Sequence, residues 1–252
     1  MLPIPKFYDP QAVGTVFRVN YAALSVDAAV FRAEHGIAPA SDDGQKNWLL
    51  LVDVQNTFCT PGFELFVGGQ SGMGAVEDNR RLCEFIYRNL ASITRITATL
   101  DTHSVMQIFH PLFFINSAGE NPAPYTDIHV NDLLGGIWKF NPALAAQLGI
   151  TPDYGQQMVL HYANQLAGRG KYALTIWPYH SMLGGIGHAL VSSLEEAIFF
   201  HTIARLSQPE YEIKGNTPFT EDYSVIGPEV LTGPEGEPLG IKNSKFIERL
   251  RQ

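Results

Sequence analysis

The feature that most constrains the fold is a short apolar run that ends at an acidic residue. Trp48 to Val52 is continuously apolar and stops at Asp53. A run this short, without polar alternation, suits a strand buried on both faces, as in a parallel sheet. Further strands are predicted at 93–100, 172–176 and 211–213, and helices at 25–35, 75–90, 154–167, 189–206 and 243–252. This alternation predicts an α/β fold with a doubly wound, Rossmann-like parallel sheet and helices on both faces.

A long stretch between the second and third predicted strands affects the domain prediction. Residues 104–170 are repeatedly interrupted by proline and are rich in aromatic side chains. Aromatic residues cluster where large surfaces are buried. We therefore expect one α/β domain over residues 1–252, with 104–170 as an insert that folds over the carboxyl edge of the sheet as a lid. An oligomer interface is the alternative role for this insert.

The composition excludes several classes of partner. The formal net charge is −8 and no basic cluster is present, which argues against a nucleic-acid surface. No apolar run reaches the ~18 residues of a membrane span, and Met1 to Pro10 lacks the apolar core of a signal peptide. These features predict a cytoplasmic protein. The cysteines, Cys59 and Cys83, show no CxxC spacing, so a metal ion would be held by histidine and carboxylate.

Polar residues stand at or just after the end of every predicted strand. They are Asp53, Asp101, the Trp177–His180 segment and Lys214. In open α/β sheets, ligands bind beyond the carboxyl ends of the strands. The sequence therefore predicts that polar groups from distant parts of the chain meet at one edge of the sheet.

Two of these strand ends carry candidate metal ligands. Asp101 and His103 are two residues apart, and in extended backbone such residues point to the same side. His180 could supply a third ligand, and His110 is a competing candidate in apolar surroundings. One carboxylate and two imidazoles suit zinc, with iron or manganese as alternatives.

Two other strand ends carry candidate acid–base residues. Asp53 could simply cap a turn, or it could act as a general base whose pKa is set by burial and a neighbouring cation. Lys214 could be a solvated loop residue. It could also be the cation that keeps Asp53 ionised and polarises a substrate carbonyl.

Four ordered segments resemble the motifs of a known family. The segments are Leu51-Val-Asp-Val-Gln-Asn-Thr-Phe-Cys59, Asp101-Thr-His103, Trp177-Pro-Tyr-His180, and Lys214-Gly215 followed by Tyr223-Ser224. They are similar to the D-x-Q-x-x-F-C opening, the D-x-H and W-P-x-H metal motifs and the catalytic-lysine segment of the nicotinamidase/isochorismatase-like cysteine hydrolases. Together the motifs span residues 48–226.

The resemblance implies an isochorismatase-like fold and assigns a role to each candidate residue. Asp53 is the base and Lys214 its partner, while Phe58 either lines the substrate pocket or packs in the core. The metal ligands are Asp101, His103 and His180. Enzymes of this family use a cysteine thiol to attack the carbon of a small-molecule amide, and water then releases the acid from the thioester. A homo-oligomer is expected.

The sequence departs from the family at the nucleophile. In the family, the attacking cysteine lies after the strand that follows the lysine, in a glycine-rich turn, and this sequence stops at Gln252 before such a segment. Cys59 matches a non-nucleophilic position of the first motif. Cys83 is predicted to be a small, buried apolar residue of the helix at 75–90. We therefore expect that the 252-residue chain alone does not hydrolyse amides.

Two alternatives remain open at this point. One is a family hydrolase that acts on a different bond, such as a vinyl ether or a ureido group. The other is a catalytically inactive binding or assembly subunit, which the absent cysteine favours. In addition, the predicted strand at 211–213 would be a bare sheet edge, which invites association with another chain.

Overall fold

The structure is a computed structural model and describes residues 1–170 and 172–250. Its helices are α1 (Tyr21–Glu34), α2 (Asn56–Cys59), α3 (Gly74–Arg88), α4 (Val130–Leu134), α5 (Ala145–Leu148), α6 (Pro152–Gly168), α7 (Ser192–Arg205) and α8 (Ser244–Arg249). Its strands are β1 (Trp48–Leu51), β2 (Arg95–Asp101), β3 (Phe114–Ile115), β4 (Asp127–Ile128), β5 (Lys139–Phe140), β6 (Leu174–Thr175) and β7 (Glu210–Lys214). Short 3-10 helices cover Ala40–Asp42, Pro111–Phe113 and Pro142–Leu144. Within the described residues, no helix is long and apolar enough to cross a membrane.

The chain divides into two compact units. The first consists of Met1–Asp101 and Gly184–Glu212, and the second of Thr102–Leu183 and Ile213–Gln252.

The main sheet has the strand order β1-β2-β7. β1 and β2 run parallel, with Trp48 opposite Arg95 and Leu51 opposite Ala98. Parallel neighbours need a crossover connection, and α3 lies in the connection between these two strands. The predicted α/β fold, with a parallel sheet flanked by helices, is confirmed.

The core of the first unit lies on one face of this sheet. Leu49 and Leu51 share a face with their partners in β2, Ile96 and Ala98, because alternate strand residues point to the same side. These side chains belong to one apolar cluster with residues of α1, α3 and α7. Burying each large apolar side chain contributes about 1.5–3 kcal/mol, so this cluster fixes the strand ends that carry the candidate site.

Helix α3 shows what the apolar pattern could and could not specify. The sequence predicts a helix over residues 75–90, and the observed helix spans Gly74–Arg88. The apolar spacing of residues 82, 85, 86 and 90 predicts one buried helix face. Ile86 and Leu90 are fully buried, as are Cys83 and Tyr87, whereas Phe85 is 48% exposed. The predicted face is therefore the buried one, except at Phe85.

The strand predicted at 172–176 is not part of the main sheet. β6 pairs antiparallel with β4, with Asp127 opposite Thr175 and Ile128 opposite Leu174. That part of the prediction is wrong because a short apolar run does not specify which strand it pairs with. The partner strand comes from the predicted insert.

The second unit has a separate apolar core. It buries most of the aromatic residues that suggested a lid, including Phe109, Phe113, Phe114, Phe140 and Tyr162. Val230, from the C-terminal stretch, belongs to the same cluster. The insert therefore shares a core with residues far along the chain. Its role as a lid stays a prediction, as does the single domain over residues 1–252.

Candidate functional site

Three potential metal ligands lie together at the end of β2. Asp101 is the last residue of β2, His103 follows two residues later, and His180 comes after β6. All three side chains are buried, and one ligand atom from each lies within 4.8 Å of the others. Zinc bonds to carboxylate oxygen and imidazole nitrogen are about 2.0–2.2 Å long, so one ion could bind all three. These residues, the Asp-His-His group, are the ligands predicted from the sequence.

Backbone carbonyls orient both imidazole rings of this group. Nδ1 of His103 lies 3.2 Å from the carbonyl oxygen of Gly215. Nδ1 of His180 lies 2.8 Å from the carbonyl oxygen of Pro178. A carbonyl can only accept a hydrogen bond, so each Nδ1 is the donor and the lone pair of a neutral ring is on Nε2. Outer hydrogen bonds of this kind fix the tautomer of metal-binding histidines, so the residues present fit a metal ion.

A buried glutamine positions the carboxylate ligand. The side chain of Gln55 accepts from the backbone N–H of Asp101 at 2.7 Å and donates to its carbonyl at 2.8 Å. The same amide nitrogen donates to the carbonyl of His188 at 2.9 Å. Gln55 therefore fixes the backbone of a candidate metal ligand. Gln55 is the glutamine of the D-x-Q motif, but no local pattern in the sequence predicts this role.

The carbonyl of Gly215 is shared by two side chains. Besides the Nδ1 of His103, it accepts from the side-chain amide of Gln107 at 2.6 Å. Gln107 is fully buried, and its role was also missed in the sequence. The backbone N–H of Thr102 donates to the carbonyl of Lys214 at 2.9 Å. These bonds hold the Lys214–Gly215 turn against the segment that carries His103.

Substitution of Gly215 by alanine is expected to weaken metal binding. Gly215 has φ +84°, and an added Cβ would lie 2.8 Å from Cε1 of His103. Because the imidazole must move away from that atom, we expect zinc affinity to fall roughly 10- to 100-fold, the cost of a lost outer-shell contact. The measurement is zinc affinity by competition with a chelator.

Gly236→Ala is the matched control for this experiment. Gly236 also has φ +84°, but its added Cβ would meet no heavy atom within 4 Å. The two variants share the backbone strain, and they differ in the contact with the ligand. Equal zinc affinities in both variants would contradict the positioning role of Gly215.

His110, the competing ligand, lies beside the group. Its ring centroid is 5.8 Å from that of His103 and 6.0 Å from that of His180. Burial, followed by the two neighbouring histidines, lowers the pKa of His110 to about 3, so its ring is neutral near pH 7. Its Nε2 is buried and has no hydrogen-bond partner within the described residues. The set of ligand atoms that lie within 4.8 Å of one another includes His180 and not His110.

Asp53 adopts a strained conformation directly after β1. Its φ is 51°, a left-handed value that costs a non-glycine residue about 1–2 kcal/mol. The hydroxyl of Thr99 donates to the Asp53 carboxylate at 2.6 Å and accepts from its backbone N–H at 3.0 Å. Aspartate is one of the few non-glycine residues that visit this region, so the choice between a simple cap and a general base stays open, and the base role stays a prediction.

The remaining predicted residues are divided between the two units. Lys214 is the last residue of β7 and lies in the second unit, whereas Asp53 and Phe58 lie in the first. Phe58 is half-buried within α2. The pairing of Asp53 with Lys214 and the pocket role of Phe58 therefore stay predictions.

Neither cysteine is placed as an activated nucleophile. Cys83 is fully buried, and burial raises the pKa of its thiol to about 12. Burial also raises the pKa of Cys59, although the neighbouring Asn79 amide opposes this. The thiolate is the reactive form of cysteine. These surroundings therefore disfavour the reactive form at both positions.

Trp177 and Tyr223, which come from two of the family-like motifs, form an aromatic surface. Trp177 precedes His180 by three residues in the sequence. The indole N–H of Trp177 donates to the hydroxyl of Tyr223 at 3.0 Å. The Tyr223 ring meets that of Tyr172 at 87°, with centroids 5.4 Å apart. Burial, followed by the Glu221 carboxylate, raises the pKa of Tyr223, so its hydroxyl stays protonated. Aromatic faces held in this way can bind a planar ring.

No protein-family model and no curated protein matches the sequence. Among solved structures, the chain is similar to the yeast nicotinamidase Pnc1p, with 16% identity and a TM-score of 0.44 over 80% of this chain and 69% of that chain. A second structure of Pnc1p, bound to the inhibitor nicotinaldehyde, gives 16% identity and a TM-score of 0.45 over 81% and 70%. A nicotinamidase and pyrazinamidase from Acinetobacter baumanii gives 18% identity and a TM-score of 0.40 over 74% and 60%.

Proposed function

We propose that this chain carries the metal site and substrate pocket of a nicotinamidase-like hydrolase of C–N bonds in small aromatic amides. The observation that carries the proposal is the buried Asp-His-His group, whose two rings are each oriented by a backbone carbonyl. The group is assembled from two distant segments of the chain. Both segments resemble metal motifs of that class of enzyme.

Zinc is the metal that suits the group best, with iron and manganese as alternatives. Two imidazoles and one carboxylate form a common donor set for these ions, and they leave further coordination positions for substrate or water. When bound, the ion supplies Lewis-acid chemistry that holds and polarises the polar end of the substrate.

Asp53 and Lys214 are the residues proposed for acid–base catalysis. Given a cysteine nucleophile, which neither Cys59 nor Cys83 provides, the Asp53 carboxylate would take the proton of that thiol as the sulfur bonds to the amide carbon. The C–N bond then breaks, the proton passes to the nitrogen and ammonia leaves; water hydrolyses the thioester to the carboxylic acid. Lys214 keeps Asp53 ionised and stabilises negative charge on the amide oxygen. The hydrogen bond from Thr99 fixes the orientation of the Asp53 carboxylate.

The aromatic surface of Trp177 and Tyr223 selects the ring of the substrate. Their side chains are joined by a hydrogen bond, so the indole orientation is set before substrate arrives. A pyridine or pyrazine carboxamide has a flat ring that packs on such faces. Phe58, from the first motif, is a further candidate for ring contact.

The surroundings of the cysteines favour a second candidate function. Cys59 and Cys83 both have pKa values raised by burial, so the sequence offers no activated thiol. A chain with an intact metal site and substrate surface but no nucleophile would bind the amide without cleaving it. The second candidate is therefore a binding or assembly subunit.

Ammonia release from nicotinamide and pyrazinamide distinguishes the two candidates. We expect no release by the zinc-loaded 252-residue chain. If the reading frame continues, the longer product should release ammonia, and Asp53→Asn should abolish that release. Amide binding without ammonia release in either form supports the binding subunit. Rapid release by the 252-residue chain that disappears in Cys59→Ala would show that the nucleophile was misplaced.

A further inference from the structure

A cavity of about 540 Å³ lies within the first unit, lined by helix α1 and by the first residues of the chain. One wall is the face of α1 that carries Asp27, Phe31 and Glu34, and another is the segment from Pro3 to Phe7. Phe200 of α7 lines the cavity as well. The volume falls within the ~300–1,000 Å³ of pockets that hold small molecules. None of the lining residues belongs to the four motifs, so the motifs give this cavity no role.

Three phenylalanine rings in the cavity wall hold one another in place. The Phe7 and Phe31 rings each pack against Phe200, with centroids 5.2 and 5.4 Å away. The ring of Tyr87 meets those of Phe7 and Phe200 edge to face, at centroid distances of 5.9 and 5.7 Å. Phe200 and Tyr87 are fully buried, whereas Phe7 and Phe31 are half-buried and keep part of their surface exposed. The aromatic wall is therefore formed before any ligand binds.

The N-terminal segment of the wall is also fixed. The backbone N–H of Leu2 donates to the carbonyl of Arg88 at 2.8 Å, and the N–H of Tyr8 donates to the carbonyl of Pro5 at 3.2 Å. The rings of Pro3 and Pro5 each restrict φ to about −65°. This segment therefore loses little conformational freedom when a ligand binds against it.

Two carboxylates flank the aromatic wall on α1. Asp27 and Glu34 are seven residues apart, and Val30 and Phe31 lie between them on the same helix face. A rise of about 1.5 Å per residue separates the two positions by about 10 Å along the helix axis. Both side chains are exposed, and within the described residues neither is joined to a cation by an ion pair. Both charges are therefore available to a ligand.

The charge of the lining residues favours a cation. They include one ammonium group, that of Lys6, and also His35, since histidine is counted as neutral at pH 7. Carboxylates therefore outnumber cations by two to one around the cavity. The faces of aromatic rings attract cations through the ring quadrupole, and quaternary ammonium groups are recognised in this way. A neutral molecule of the same shape gains only the burial of its apolar surface.

We propose that this cavity binds a small organic cation with a flat apolar body, such as a quaternary ammonium group carried on an aromatic ring. Phe7 and Phe31 supply the ring surfaces, and Asp27 and Glu34 supply the opposite charge. The inference does not rest on the proposed function, because none of these residues belongs to the Asp-His-His group or to the motifs.

Calorimetric titration near neutral pH with three probes tests the proposal. The probes are benzyltrimethylammonium, the neutral benzyl alcohol and the anion benzoate. We expect saturable binding of the ammonium, weaker binding of the alcohol and the weakest binding of benzoate. The double variant Asp27→Asn/Glu34→Gln should weaken ammonium binding by roughly 3- to 10-fold and leave benzyl alcohol binding nearly unchanged. Phe31→Leu keeps an apolar side chain but removes the ring, so it should weaken ammonium binding by roughly 3- to 10-fold.

Asp153→Asn is the control, because Asp153 is an exposed carboxylate of α6 in the second unit. It should bind the ammonium as the wild type does. The carboxylates replaced in the double variant are exposed as well, so its thermal unfolding should match that of the wild type. Ammonium affinity that is unchanged in the double variant, or equal wild-type affinities for the ammonium and benzyl alcohol, would overturn the inference. So would ammonium binding that is lost when zinc is removed, because it would place the probe at the Asp-His-His group.

Discussion

Replacement of His103 by alanine is expected to remove zinc from the purified protein. The residue supplies one of only two imidazoles in the Asp-His-His group, and its ring is held by the Gly215 carbonyl. Losing an outer-shell contact already costs about 10- to 100-fold in metal affinity, so losing a ligand should cost about 100-fold or more. Metal content by mass spectrometry, after dialysis against trace zinc, should fall from about one ion per chain to background.

His35→Ala is the control for this loss, because His35 is exposed and lies in the first unit. It should retain wild-type zinc. Equal zinc content in His103→Ala and His35→Ala would contradict the assignment. The same assay decides between the two candidates for the third ligand: loss of zinc in His110→Ala, with retention in His180→Ala, would show that His110 is the ligand.

Asp43→Ala should destabilise the first unit by about 3–5 kcal/mol, the usual cost of leaving a buried charge without its partner. Arg205 is 1% exposed, and one of its guanidinium nitrogens lies 2.5 Å from both carboxylate oxygens of Asp43. The same side chain also donates to the backbone carbonyl of Ile93 at 3.3 Å. Without Asp43, the remaining partners of this buried charge among the described residues are backbone carbonyls. Chemical denaturation measures the loss.

Asp78→Ala is the matched control for this ion pair. Asp78 pairs with Arg81 at 3.0 Å, but the side chains are 73% and 69% exposed. Exposed pairs contribute about 0–1 kcal/mol, so this variant should unfold almost as the wild type does. A loss in Asp43→Ala no larger than that in Asp78→Ala would contradict a structural role for the buried pair.

The stabilisation by Asp43 should depend on pH. Burial alone would raise the pKa of the Asp43 carboxyl, but hydrogen bonds from Arg205 and Thr94 outweigh burial and lower it. A lowered folded-state pKa means that the contribution is complete above the unfolded value of about 3.9 and is lost as pH falls through the folded value. The stability difference between wild type and Asp43→Ala should therefore be constant from pH 5 to 7 and shrink below about pH 4. A difference that is unchanged at pH 3 would contradict this linkage.

The strand ends were the part of the site that the sequence could predict. A short apolar run followed by a polar residue marks the end of a buried strand, and extended backbone puts Asp101 and His103 on one side. His180 could be placed only through its motif, because it comes from a distant segment. Local pattern therefore predicts ligands on one strand, and shared motifs are needed for the rest.

The supporting residues could not be predicted in the same way. Gln55 and Gln107 are buried because they bind backbone groups of segments far away in sequence, and no local periodicity reports such a partner. The sequence did not predict the second unit, for a related reason. Its strands β3 to β6 have two residues each, too few to show alternation. Its core joins the insert to Val230 near the other end of the chain.

Titration of nicotinamide into zinc-loaded and chelator-stripped protein tests the central claim most directly. The claim is that the Asp-His-His group and the aromatic surface of Trp177 and Tyr223 form one metal-dependent amide site. We expect saturable binding to the zinc-loaded chain, weakened by about 10-fold or more after zinc is removed and by roughly 3- to 10-fold in Trp177→Ala. Absence of binding, or equal affinity with and without zinc, would contradict it.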